Sequence, residues 1–147
     1  MRLAQHIETH IHTGDAADTV TLDYEARFLR RKRLVSDAGE PFLVELAETR
    51  SLNQGEGFRL DDGRIIAVMA AAEPLLSVRH GNLARIAWHV GNRHTPCQIA
   101  DDHILIREDK VLQAMLEGLG ASVTQVTAPF TPEGGAYGHG RTHGHEH

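Results

Sequence analysis

Histidine is the residue type in this chain that most suggests chemistry. The sequence holds 11 histidines against four Phe, two Tyr and one Trp. Neutral imidazole is the commonest protein ligand for transition metals, so the composition raises the question of a metal site. The single cysteine excludes both an internal disulfide and a zinc site built only from cysteines.

Among the histidines, His94 has the most clearly defined structural context. It follows a predicted helix over residues 82–90 and precedes Pro96. His89 lies five residues earlier, whereas a helix stacks two imidazoles on one face at a spacing of four, so the two are poor partners within one chain. A twofold dimer could instead bring His94 opposite its own copy, so that the pair shares one ion. On spacing alone, an imidazole that interacts with the helix dipole is the more ordinary interpretation.

The end of the chain carries the second group of candidate ligands. Residues 131–147 are rich in glycine and poor in apolar side chains, and we expect a flexible tail. Its histidines are His139, His143, His145 and His147. Ordering such a chain around an ion costs about 1–2 kcal/mol per residue, so we expect modest affinity and fast exchange. Imidazole suits Ni²⁺, Cu²⁺ and Zn²⁺, and a short tether would also let the tail complete the shell around His94.

The remaining candidates are weaker. His10 and His12 would share a face of a strand, but a solvated edge explains them as well. Cys97 lacks an identifiable orienting group, so a small buried hydrophobe is the simpler interpretation. The basic residues of segment 27–33 form a solvated strand or turn face, or else a docking surface for an acidic protein. The net charge of −5 argues against non-specific nucleic-acid binding. The sequence also lacks the usual nucleotide-binding and hydrolase motifs, so it gives no sign of either activity.

Hydrophobic patterning divides the chain into two domains, with an α+β fold overall. Residues 1–72 predict a small all-β domain, a sandwich or barrel, with alternating strands at 19–24 and 42–48. The Asp-Asp-Gly turn at 61–63 predicts a hairpin between residues 58–60 and 64–71. No apolar run is long enough to cross a membrane and no secretory signal is visible, so we expect a cytoplasmic protein.

Residues 73–130 alternate between strands and helices. The expected strands are 75–79, 99–100, 104–106 and 122–127, and the expected helices are 82–90 and 109–118. Gly91 and Asn92 would stop the first helix. The second would bury Val111, Leu112, Met115, Leu116 and Leu119. This β-α-β-β-α-β order predicts a ferredoxin-like domain.

The string HVGNRHTP, residues 89–96, resembles the central motif of the UreE family, the nickel-binding accessory proteins of urease. The stretch LNQGEGFRLDDGRIIAVMAAAEPLLSVR, residues 52–79, is similar to the interdomain region of that family. The histidine-rich tail matches many members too, so the resemblance covers essentially the whole chain.

The resemblance implies a β domain similar to the peptide-binding domain of J-domain chaperones, followed by a ferredoxin-like domain that forms a homodimer. It implies that His94 of each subunit shares Ni²⁺ at the axis. It further implies no catalysis, but delivery of nickel to an activation complex of apo-urease and an accessory GTPase. Some members carry extra histidines in the segment that matches 105–110. This chain does not, so we expect no accessory site there.

Two other functions fit the same residues. A general Zn²⁺ or Cu²⁺ buffer would use the same imidazoles without a delivery partner. A peptide-binding chaperone would use the β domain, and its metal binding would be incidental.

Overall fold

The computed structural model describes residues 1–134, and these separate into two units, Met1–Ala71 and a second unit that begins at Ala72. The first unit contains β1 (Arg2–Glu8), a 3₁₀ turn (Thr13–Asp15), β2 (Asp18–Leu22), β3 (Phe28–Val35), β4 (Pro41–Ser51), β5 (Gly57–Leu60) and β6 (Ile65–Ala70). The second contains β7 (Ala72–Arg79), α1 (Leu83–Asn92), β8 (Gln98–Ile99), β9 (Ile104–Arg107), α2 (Lys110–Gly118) and β10 (Ser122–Pro129).

The strands of the first unit form one sheet in the order β2-β6-β5-β1-β4-β3. The alternation predicted in β2 and β4 is confirmed, because the residues meant for the core are buried: Val20, Leu22, Phe42, Val44 and Leu46. The predicted hairpin is confirmed as the antiparallel pair β5–β6. Its turn needs Gly63, whose φ of 90° lies in the left-handed region that other residues rarely adopt.

Asp37 connects the two edge strands of this sheet. It follows β3, and its N–H donates to the carbonyl oxygen of Thr19 in β2 at 2.8 Å. Its carboxylate accepts from the hydroxyls of Thr19 at 2.5 Å and Thr21 at 2.8 Å. The hydrogen bond from Thr19 is the main reason that the pKa of Asp37 is lowered. The sheet therefore curves until its edges meet at this residue, as a partly closed barrel does.

Arg27 does not lie on the solvated face predicted for the basic segment 27–33. Only 1% of it is exposed, so it does not belong to a solvated face. Its Nε donates to the carbonyl oxygen of Leu52 and its Nη1 to that of Leu22, both at 3.0 Å. The guanidinium also lies 5.9 Å from the ring centre of Tyr24. Arg27 thus donates to two backbone carbonyls from a buried position, and the carbonyl oxygen of Leu22 also accepts the N–H of Ala71 at 2.9 Å.

The second unit has a four-stranded antiparallel sheet in the order β10-β7-β9-β8. Both helices contribute apolar side chains to the core that this sheet lines, so both predicted helices are confirmed: Ile86 and Val90 come from α1, Leu112 and Leu116 from α2. Two details were wrong. Gly91 and Asn92 are the last residues of α1 rather than its stop. Val111 is 76% exposed, because the buried face of α2 is set by Leu112 and Leu116.

No helix among residues 1–134 is long and apolar enough to cross a membrane. His139, His143, His145 and His147 lie outside the described residues.

Candidate metal centre

His94 lies in the turn that ends α1. Arg93 is the C-cap of the helix. The N–H of His94 donates to the carbonyl oxygen of Gly91 at 3.0 Å, and the N–H of Thr95 donates to that of Val90 at 3.3 Å. This pair of hydrogen bonds is the Schellman motif, which satisfies carbonyls at a helix end.

The backbone of His94 has an uncommon conformation. Its φ is 57°, in the left-handed region, and the Schellman motif usually has glycine at this position. A side chain there costs about 1–2 kcal/mol, because Cβ crowds the following carbonyl oxygen. Backbone strain of this kind concentrates at functional sites. The chain therefore carries an imidazole at a position where backbone energetics favour glycine.

The imidazole-bearing turn lines a surface cleft. His94 is exposed, and the cleft of about 370 Å³ is lined by His94, Thr95, Pro96, Arg107, Glu108 and Asp109. The last three come from the end of β9 and the connection to α2. One carboxylate oxygen of Asp109 accepts the N–H of Leu112 at 3.0 Å as the N-cap of α2. The cleft thus combines an imidazole with two carboxylates, which are all donor types for divalent metals.

Sequence reasoning did not identify Glu108 and Asp109. As a possible metal site, segment 105–110 was considered only for its lack of histidines. The available signal was the pair of acidic residues at the start of the predicted helix 109–118, where Asp is a common N-cap. Which chain segment would face that helix start could not be read from the sequence.

The described part of one chain does not form a complete metal site. Within residues 1–134, no group of three His, Cys, Asp or Glu side chains converges to hold an ion. His89 is half-buried, and its ring packs edge-on against Trp88 with ring centres 5.0 Å apart. His10 and His12 are exposed residues of the first unit. A metal at His94 therefore needs ligands beyond these residues.

The chain that follows β10 returns to the segment that follows His94. Phe130 is fully buried. The N–H of Thr131 donates to the side-chain oxygen of Gln98 at 2.9 Å, and the N–H of Glu133 donates to the carbonyl oxygen of Cys97 at 2.8 Å. The pKa of Cys97 is raised, first by burial and then by the charge of Glu133, so the thiol is unsuited to a nucleophilic role. These bonds hold the chain at Glu133 beside a residue three positions after His94.

Comparison with known proteins shows which family has this two-domain architecture. The family model described as UreE urease accessory protein, N-terminal domain, matches residues 2–71, and that of the C-terminal domain matches residues 73–147. The chain belongs to the UreE family. The resemblance seen at residues 89–96 and 52–79 is therefore confirmed.

Several UreE relatives are similar over most of their length. The urease accessory protein UreE of Ruegeria pomeroyi is 57% identical over 136 residues, which cover 92% of this chain and 91% of that protein. The protein of the same name from Rhodobacter capsulatus is 61% identical, over 90% of this chain and 84% of that protein. The one from Paracoccus denitrificans is 63% identical, over 84% and 79%.

Proposed function

We propose that this UreE-family protein is a non-enzymatic, cytoplasmic chaperone that binds Ni²⁺ and delivers it to apo-urease during urease maturation. The names of its relatives support the role in urease maturation. The observation that carries the proposal for this chain is His94, an exposed imidazole kept in a left-handed turn where glycine would be more stable.

We propose that the tight site forms in a homodimer, where His94 of each subunit binds the same ion. Two supports come from the second unit. No complete ligand set exists within residues 1–134, so symmetry is an economical source of a second imidazole. Trp88, in the helix that ends at the His94 turn, is 63% exposed, and tryptophan is enriched at protein–protein interfaces.

We propose that the tail histidines His139, His143, His145 and His147 add further, weaker ligands. The hydrogen bond of Glu133 to Cys97 supports this role, because it starts the tail close to the His94 turn. His139 is six residues beyond Glu133, a reach of roughly 20 Å when extended.

The finer fold assignment also belongs to this proposal. The order β10-β7-β9-β8, with a helix after β7 and another after β9, supports a ferredoxin-like domain for the second unit. For the first unit we propose a role like that of a peptide-binding domain. As the family resemblance implies, we also propose an accessory GTPase as partner, which would supply the nucleotide chemistry of urease activation.

An activation assay tests delivery against buffering. Apo-urease, with its accessory proteins, is activated at limiting nickel in the presence of the nickel-loaded protein. A delivery protein raises urease activity above that with the same amount of free nickel, and the His94→Gly variant raises it much less. A Zn²⁺ or Cu²⁺ buffer would withhold nickel, so lower activity with the wild type would overturn the proposal.

A further inference from the structure

A run of four cations lies on an edge strand of the first unit. Arg30, Arg31, Lys32 and Arg33, here called the basic edge, are all exposed in β3. β3 is the last strand of its sheet, so one side of its backbone has no neighbouring strand there. The chain as a whole carries a net charge of −5, so the basic edge is a local concentration of positive charge on an acidic protein.

The basic edge presents charge on both faces of the sheet. Register places Arg31 opposite Glu45, Lys32 opposite Val44 and Arg33 opposite Leu43. Since successive side chains of a strand point to opposite faces, Arg31 and Arg33 lie on one face and Lys32 on the other. Val44 is fully buried, yet Lys32 is exposed, because a long side chain can extend past the rim of a core.

The cations of the basic edge make few interactions with other residues of the protein. Arg30 donates from Nε to the carbonyl oxygen of Leu46 at 3.3 Å, and Arg31 pairs with Glu45 only at 4.0 Å. Within residues 1–134, no carboxylate lies within ion-pair distance of Lys32 or Arg33. Positive charge on an edge prevents pairing with a second copy of the same strand, and it attracts an acidic strand for the same electrostatic reason.

We infer that the basic edge docks an acidic, extended segment of a partner protein, which adds to the sheet beside β3. Backbone hydrogen bonds along the open side would supply affinity, and carboxylates on both faces would supply specificity. A protein segment fits better than nucleic acid. The run itself contains no aromatic side chain on which a base could stack, and the chain is acidic overall. This inference is independent of nickel binding.

Fluorescence anisotropy tests this with the full chain and a labelled peptide of about ten residues that alternates Glu and Thr. A peptide that alternates Gln and Thr is the neutral control. We expect the acidic peptide to bind and the neutral one to bind far more weakly. Arg33→Glu should weaken binding about tenfold. Arg85→Glu, an equal charge change at an exposed position of α1, should alter it less than about twofold.

Hydrogen exchange then distinguishes strand addition from loose ionic contact. Amides of β3 should gain protection when the acidic peptide binds. The inference is overturned by equal losses in Arg33→Glu and Arg85→Glu, by protection elsewhere than β3, or by equally tight binding of a DNA duplex or an anionic lipid vesicle. If a thermal melt shows that Arg33→Glu is unfolded, the neutral variant Arg33→Gln replaces it in the binding measurement. A nickel titration unchanged in Arg33→Glu keeps this test separate from the metal site.

Discussion

At the residue scale, the backbone of His94 makes a prediction that does not involve metal. Both His94→Gly and His94→Ala remove the imidazole, but only glycine relieves the left-handed conformation at φ 57°. We expect His94→Gly to be more stable than His94→Ala by about 1 kcal/mol, and at least as stable as the wild type. Chemical denaturation without metal measures this. Equal stability of the two variants would show that the turn is not strained.

Arg27 makes a second prediction at this scale. Replacing it by Met leaves the carbonyls of Leu22 and Leu52 without these donors in the core, and we expect a loss of about 2–4 kcal/mol in the free energy of unfolding. Arg31→Met is the matched control, because the side chain of Arg31 is 70% exposed, and should change stability by less than about 0.5 kcal/mol. Urea denaturation gives both values. Similar small effects would contradict a structural role for Arg27.

Asp102 should make a contribution to the stability of the fold that depends on pH. The hydrogen bond from His103, and then the one from Arg79, lower the pKa of Asp102 from 3.8 to about 2. A carboxyl whose pKa is lower in the folded state stabilises the fold above its ordinary pKa, and that contribution is lost as pH falls from about 4 to about 2. Asp102→Asn should therefore have a melting temperature that falls less steeply across this window. Because Asp102 is exposed, the difference should be small and should shrink in high salt. Parallel slopes would contradict the assignment.

At the element scale, the segment after β10 makes the fourth prediction. Phe130, Thr131 and Glu133 attach to the body of the second unit, so a chain that ends at Gly135 keeps these contacts. We expect this truncated protein to have the melting temperature of the wild type and to bind fewer nickel ions, because it lacks four histidines. Calorimetry and equilibrium dialysis measure the two quantities. An unchanged number of bound ions would show that the tail histidines do not bind nickel.

The elements also explain which parts of the fold could be predicted. β2, β4 and both helices have clear periodicity, because each buries one face against a single core. The β5–β6 hairpin was predictable from its Asp-Asp-Gly turn instead, since β6 buries the consecutive residues 66–68. β1 was not identified as a strand, and the segment 27–33 that lies mostly in β3 was left open between a strand and a turn. In β3 the bulge between Leu29 and Arg31 and the four cations disrupt the alternation, and its place at the edge relaxes the need to bury alternate residues.

At the scale of the whole molecule, the candidate site was predictable in part. His94 could be singled out because the string HVGNRHTP resembles the UreE motif, whereas its spacing alone favoured an imidazole that interacts with the helix dipole. The turn geometry and the two carboxylates of the cleft could not. Glu108 and Asp109 come near His94 only because the connection between β9 and α2 lies beside the end of α1, a tertiary relation without a local sequence signal.

The central claim is that His94 holds the tightest nickel ion and that two copies of the chain share it. Native mass spectrometry during a nickel titration tests this most directly, with the wild type and His94→Gly compared at the same protein concentration. We predict that the first ion appears on the wild-type dimer, one per dimer, while His94→Gly remains folded and acquires nickel only at higher concentrations. A first ion bound equally tightly by His94→Gly, or bound one per chain by wild-type monomers, would contradict the account.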